Sequence, residues 1–523
     1  MKSKRNITKT FLYSFLLLFL FNFCVSNAQP KLSKNEYAVL KTCEGIIQLF
    51  KKSSSEIWPG FDLSKRKFII YIPGRWALLF NQTSPIEDFE QYPKDWPELG
   101  CPVRIHQGQY KDLIGQLEFD VPIDTFKTVA ISFPEEIINS FSPWVLFGNY
   151  IHEAFHQYQS EMFGEIPWER EERYPILEKE NTALAYIEMK ILSDALLMMK
   201  ENNKMKCRDY VERFTAIRTY RWQHSNPFVA RYEQGQEIHE GTPRYVETKS
   251  IQLMKTLEYK SSLSGITTSL QEDFISVSFP ELIHADLRER MTENSIRPED
   301  MLRNRIYPVG SAIGFLLDYF NIDWKSKAQK AGTEFNFAQL FIEGLGLQNN
   351  RFDDLVKRTK LIYGYDKILT ETEKVIQEYM TGYQKELDLF ESQPGYRLQI
   401  ELSAKSLSRS RSSSSKNWLV ENGTKSLCSR YQVFTLKTDK MSLQIQNSGV
   451  WQLNDWDKKN YTTVFFSPEI ESIYFDGNPL EIKDGIQQSF QKIEISGNNF
   501  RFGSQQAGTI SVKNKKILIQ LNT

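Results

Sequence analysis

The chain has 523 residues, with 65 basic and 65 acidic side chains and no formal net charge. That balance excludes a protein that works through a basic, nucleic-acid-binding surface. The length is enough for two to four domains with sizeable cores. Cys43, Cys101, Cys207 and Cys428 are far apart and form no C-x-x-C pair, so no disulfide pattern can be assigned and free buried thiols are an equal reading.

Residues 1–28 read as an export signal. Lys2, Lys4, Arg5 and Lys9 form a basic start, 11–23 is apolar, and Ser26-Asn27-Ala28 is a small-x-small cleavage site. Cys24 lies inside this leader, and its neighbours do not suit a lipoprotein site. Removing the leader leaves a slight excess of acids. No later segment is long and apolar enough to span a bilayer, so no transmembrane anchor is expected. The location implied is periplasmic or secreted.

Residues 29–142 are expected to form an α/β lobe. A helix is predicted over 35–51. Short apolar runs at 68–72, 76–80 and 128–133 predict buried strands, the first and last ended by Pro73-Gly74 and Pro134.

The next segment reads Tyr150-Ile151-His152-Glu153-Ala154-Phe155-His156. Histidines four apart share a helix face, and their spacing suits two imidazoles on one Zn²⁺. Glu153 beside them is placed to take a proton from water. Ser142-Pro143 is a helix start, Ile151, Phe155, Tyr158 and Met162 make an apolar stripe, and Gly164 is a stop. A chance match on a packing helix is the competing explanation, and the helical context argues against it.

Residues 143–394 are expected to be mostly helical, with patterned stretches at 183–200, 209–223, 244–257, 310–320 and 371–391. From 395 to 523 the pattern changes to period two. Strands are predicted at 397–402, 433–436, 443–445, 463–466, 473–475, 493–495 and 517–521, with Asp476-Gly477 as a turn signal. This predicts a C-terminal all-β module, a sandwich or barrel. Within it, 406–416 (S-L-S-R-S-R-S-S-S-S-K) reads as a solvated low-complexity loop.

Two histidines do not complete a catalytic zinc site, which takes three protein ligands. The longer motif with a third histidine is excluded, because Met162 stands at that position. A carboxylate from another helix is required. Glu178, Glu180, Glu188 and Glu240 are candidates. Glu233, Glu237 and Glu240 fall at i, i+4, i+7 and would share a face on a regular helix; pairing with Arg218, Arg221 and Arg231 is an alternative to a metal nearby. His239 reads as a neighbour of the site rather than a ligand, and His106, His224 and His284 carry no spacing signal.

The segment Glu240-Gly241-Thr242-Pro243-Arg244-Tyr245-Val246-Glu247, downstream of His152-Glu153-Ala154-Phe155-His156, resembles the glutamate-zincin (gluzincin) peptidases of the MA clan. Trp58-Pro59-Gly60-Phe61, Arg218-Thr219-Tyr220-Arg221 and Tyr307-x-x-Gly310 are similar to segments of an exported bacterial branch, over roughly residues 55–330. The chain departs from the family at Thr242 and Pro243, where a bulky apolar residue and alanine are usual, and in the long gap between His156 and Glu240. The resemblance implies Glu240 as third ligand to one Zn²⁺, Glu153 as general base and Tyr307 as oxyanion donor, just ahead of a helix starting at Pro308. It implies a multidomain α+β fold with a zincin-like α/β lobe, a helical lobe and the all-β module. It also implies hydrolysis of a peptide or protein substrate. Gly115-Gln116-Leu117-Glu118-Phe119 only partly matches the amine-binding strand of the clan's aminopeptidases, and an ordinary amphipathic strand is expected there. A non-catalytic binding protein on this scaffold and a hydrolase of non-peptide amides are the alternatives. The β module is left with a glycan or a protein as its partner.

Overall fold

The computed structural model describes residues 32–110, 113, 117–134, 143–166, 169–256, 279–330, 335–404, 407–413 and 415–522. The expected leader, Ser142 and Gly115-Gln116 lie outside them. The protein is a multidomain α+β chain that divides into two compact units.

The first unit contains 62–147 and most of the helix Lys34–Ile57. That helix opens with a reciprocal cap. Glu36 N–H donates to Ser33 Oγ at 3.2 Å, and Ser33 N–H donates to Glu36 Oε2 at 2.7 Å. Six strands form its sheet in the order β3-β4-β2-β1-β6-β5. The strands are β1 Phe68–Ile72, β2 Trp76–Phe80, β3 Glu90–Gln91, β4 Val103–Gln107, β5 Leu117–Ile123 and β6 Phe126–Ser132. The hairpin β1–β2 and the strand β6, which pairs parallel with β1, are the three apolar runs expected. β3 and β4 gave no hydropathy signal because their side chains are largely polar and partly exposed.

The second unit holds 54–61, 148–253 and 275–523, so the helices and the all-β region belong to one compact unit. The motif helix is Pro143–Met162. The helices Lys179–Lys200 and Lys204–His224 follow it, the first with most of its side chains buried. Next, Pro227–Gln236 runs through a π-turn, Glu237–Gly241, into Thr242–Thr256. The helix expected to start at Pro308 starts at Arg303 and ends at Tyr319. Tyr307 therefore lies inside it rather than ahead of it. Pro308, in the second turn of this helix, removes a single backbone hydrogen bond, the one that an N–H there would make to the carbonyl of residue 304. The helix Tyr365–Glu391 leads to the β region.

Among the described residues, that region is an all-β half-barrel of thirteen strands. Its core is built from the inward residues of alternating strands, among them Leu398, Ile400, Phe434, Leu443, Ile445, Phe465, Ile495 and Ile519. The last strand, Lys516–Leu521, pairs parallel with the first, Tyr396–Ser403. Tyr379, on the preceding helix, accepts from Leu419 N–H at 2.8 Å. Gly382 leaves room for Trp418, whose ring would lie 2.6 Å from a Cβ there.

The expectation for residues 406–416 is corrected as well. Ser408–Ser413 is a strand paired with Lys425–Lys437, not a solvated loop. The alternation of serine and arginine is itself a period-two pattern. Arg409 and Arg411 turn inward toward Glu172, with Arg411 Nη2 donating to Glu172 Oε1 at 2.8 Å. No described helix is long and apolar enough to cross a membrane. The four described cysteines are unpaired.

Candidate metal centre

The motif helix places His152 and His156 one turn apart, with ring centroids 4.9 Å from each other. The π-turn Glu237–Gly241 brings Glu240 against both. Glu240 Oε2 lies 3.5 Å from His152 Nε2 and 3.4 Å from His156 Nε2. The opposite ring nitrogens are held by other groups. His156 Nδ1 is 2.8 Å from Gln159 Oε1, and His152 Nδ1 is 3.4 Å from Glu247 Oε2. An imidazole whose Nδ1–H is taken by an acceptor presents the Nε2 lone pair. Both Nε2 atoms face one carboxylate oxygen. The donors His152, Glu153 and His156, and likewise His156, His239 and Glu240, form groups able to hold a metal ion.

The π-turn explains how Glu240 reaches this position. Thr242 N–H bonds to Glu237 O, the wide i→i+5 pattern. Continuing it would require a bond from residue 243 to Ile238 O, and Pro243 has no N–H. Ile238 O is served instead by side chains, Gln159 Nε2 at 2.8 Å and Thr242 Oγ1 at 2.7 Å. Thr242 and Pro243, the two departures from the gluzincin pattern, thus act together. The same Gln159 anchors His156, so one amide links the motif helix to the segment that carries Glu240.

The wide turn also separates the three glutamates. Glu233 and Glu237 do not share a face with Glu240. They enter a buried network with Arg218, Arg221 and Arg305. Arg218 pairs with Glu237 and Glu188, and Arg221 pairs with Glu188 and Glu233. Arg305 pairs with Glu233 and donates to Tyr174 OH at 2.9 Å. Arg231 pairs with Glu169 instead, at 3.1 Å. Glu188, a rival for third ligand, is thereby occupied away from the histidines. Glu178 precedes the helix Lys179–Lys200, and Glu180, in its first turn, is exposed.

Glu153 faces a cavity of about 310 Å³ lined also by His152, Arg244, Asp286, Asn304 and Tyr307. Burial holds its carboxyl above the usual range, with His152 and His156 opposing. Burial opposes charge on Glu240 too, but His152 and His156 hold that carboxyl well below the usual range. The reciprocal effect on His152 is large. Burial works against its proton, yet Glu240 and Glu247 push it up to about 9. Tyr307 packs its ring 5.6 Å from that of His152, and burial followed by Glu240 raises its phenol, which stays protonated. Arg303, one turn earlier, sets Nη1 3.5 Å from Glu240 Oε1. His239 lies beside the site, its ring 4.6 Å from that of His156.

Glu247 is a contact the sequence did not announce. It bridges His152 and Arg244, and Arg244 donates in turn to Asp286 at 2.8 Å. Its position seven residues after Glu240 was the available signal. Gln159, three residues after His156, offered the same kind of signal. The other histidines are engaged locally: His106 with Asp88 O, His224 with Tyr220 O and His284 with Ser193 Oγ. No protein-family model, curated protein or solved structure matches this chain.

Proposed function

We propose that the protein is a zinc-dependent peptidase-like hydrolase of the gluzincin type, exported from the cell and acting on a peptide or protein substrate. One observation carries the reading. Two imidazoles, each tied at Nδ1, turn their Nε2 atoms onto a single carboxylate oxygen of Glu240. Histidines packed only for structure have no need of that convergence. His152, His156 and Glu240 match the donor types of a catalytic zinc site with three protein ligands.

A bound Zn²⁺ supplies Lewis-acid polarisation of a carbonyl and acidifies water toward neutral pH. Glu153 supports the role of base. Its raised carboxyl faces the cavity, so it can accept a proton from water and later give it to the leaving nitrogen. Tyr307 keeps its proton and stands as a hydrogen-bond donor for the oxyanion that develops at the attacked carbonyl. Glu247 and Gln159 fix the ring orientations of His152 and His156.

The test is metal content and hydrolysis measured together. The mature chain should carry about one Zn²⁺, cleave a peptide library, and lose cleavage to a chelator. Absence of metal after reconstitution with zinc would overturn the proposal.

A further inference from the structure

Beside the candidate metal centre lies a second cavity, of about 380 Å³. Its walls come from the short helix Glu171–Arg173, the strand Ser408–Ser413 and the start of the helix Arg303–Tyr319. Four guanidiniums line it, those of Arg170, Arg303, Arg409 and Arg411, against the carboxylates of Glu169, Glu171 and Glu172. Glu169 is already engaged by Arg231 at 3.1 Å. The cavity therefore has more positive than negative charge facing it.

The guanidiniums are also short of acceptors. Arg409 is 6% exposed; its Nη2 reaches Asn454 Oδ1 at 3.5 Å, and its Nε and Nη1 are buried with no hydrogen-bond acceptor among the described residues. Its Nη1 comes no closer than 3.8 Å to Glu172 Oε1. Nη1 of Arg411 is likewise buried without an acceptor among the described residues, although Nη2 holds Glu172 and the side chain also engages Tyr431. Burying donors of this kind unpaired is costly, more so when they are charged. Burial pulls the Arg409 guanidinium down to about 10, with Glu172 opposing and Arg411 and Arg170 adding to the fall. The cavity is lined by both of these side chains, so an anion there would lie against guanidiniums that lack a full set of acceptors.

The walls are fixed rather than loose. A Cβ on Gly423 would lie 1.7 Å from Glu172 O, so the backbones meet there directly. Gly423 O accepts from Trp456 Nε1 at 3.2 Å, and the Trp456 ring carries Arg170 and Arg409 at 5.5 and 5.9 Å. Arg303 joins the cavity to the metal centre, since it lines the cavity and reaches Glu240 at 3.5 Å.

We propose that this cavity is an anion subsite in which Arg409 and Arg411 hold a carboxylate of the substrate, one guanidinium away from Glu240. As a substrate subsite it rests on the hydrolase reading; as a carboxylate site it stands without it. The carboxylate belongs either to an acidic side chain or to a chain terminus, which share the same chemistry. A planar guanidinium fork fits a carboxylate through two parallel bonds.

The test uses the full chain carrying Glu153→Gln and three probes titrated by calorimetry. They are N-acetyl-Ala-Ala-Gln amide, N-acetyl-Ala-Ala-Gln with a free terminus, and N-acetyl-Ala-Ala-Glu amide. At least one of the two carboxylate peptides should bind about tenfold or more tighter than the neutral one, as a charge-assisted bidentate pair implies. Which peptide gains identifies the source of the carboxylate. Adding Arg409→Gln should abolish the gain and Arg409→Lys should restore part of it. If Arg409→Gln does not fold, Arg411→Gln decides, since that side chain is 26% exposed. Equal binding of all three peptides, or a preference that survives in the folded arginine variants, overturns the subsite. A preference without cleavage by the zinc-loaded parent overturns the hydrolase reading and leaves the subsite standing.

Discussion

Gly241 and Gly310 meet backbone to backbone. A Cβ built on Gly310 would lie 2.5 Å from Gly241 Cα, and one on Gly241 would lie 2.8 Å from Gly310 Cα. The first glycine follows Glu240 and the second lies one turn after Tyr307. Their contact is what brings the π-turn and the tyrosine helix close enough to put both side chains at the histidines.

Because the clash is with backbone, no side-chain rotation relieves it. Gly310→Ala should destabilise the protein by about 1–3 kcal/mol despite alanine's better helix propensity. It should weaken zinc binding as well, through displacement of Glu240. Gly503→Ala, whose nearest neighbour would be 4.0 Å away, is the control and should be nearly neutral. Urea midpoints compare the two. If Gly310→Ala is as stable as the parent, the helices do not pack as closely as described.

Glu247 holds His152 through Nδ1 and is itself held by Arg244. Glu247→Ala should lower zinc affinity by about 10–100-fold, the usual effect of removing a carboxylate behind a ligand histidine. Glu247→Gln keeps an acceptor and should lose less. Competition against a chromophoric chelator measures both, and equal affinity in Glu247→Ala and parent would remove Glu247 from the centre.

Glu237 gives a pH dependence with a definite sign. Its carboxyl is raised to about 7, because burial outweighs Arg218 and the charges of Glu233 and Glu188 add to the effect. In the unfolded chain it titrates near 4.5. Between those values the folded protein holds a proton that the unfolded chain does not. This group's contribution to stability is therefore complete below 4.5, falls as pH rises to about 7, and is flat above that. The difference is on the order of 3 kcal/mol. Glu237→Gln keeps an acceptor for Arg218 and carries no charge, so its stability should exceed the parent's at pH 8 and match it near pH 4.5. The parent-minus-variant difference, taken with chelator present throughout, isolates this residue. A variant less stable than the parent at pH 8 would mean that the ionised carboxylate stabilises the network.

What the sequence disclosed follows from which side of each element is apolar. Phe68–Ile72 and Trp76–Phe80 are buried on both faces, and the helices carry a 3.6 period, so hydropathy located them. The spacing of His152 and His156 is local to one helix and needed no tertiary information. The π-turn left no hydropathy mark, and regular helical phasing put Glu233, Glu237 and Glu240 on a common face. Arg409 and Arg411 were passed over for a related reason. Their buried side is charged, and a scale that equates burial with apolarity reads such a strand as solvent-exposed loop. Arg303 and Asp286 reach the centre from distant parts of the chain, a juxtaposition that no local pattern encodes.

Glu240 and Glu188 were rivals for one role, and the structure gives them opposite surroundings. Glu240 faces two histidine Nε2 atoms, whereas Glu188 is buried between Arg218 and Arg221 at 2.6–3.1 Å. Their removal should therefore produce crossed effects. Glu240→Ala deletes a proposed ligand and leaves His152 and His156 without the carboxylate that raises His152, so zinc should dissociate readily under a chelator that the parent withstands. Its fold should survive, because Glu240 is no part of the arginine network. Glu188→Ala leaves two buried guanidiniums with one fewer counter-charge, a change that typically costs about 3–5 kcal/mol. The fraction that still folds should keep its zinc. Thermal midpoint and metal retention, measured on both variants in the same chelator, read out the two axes separately. Should Glu188→Ala lose zinc while remaining as stable as the parent, the assignments of the two glutamates would have to be exchanged.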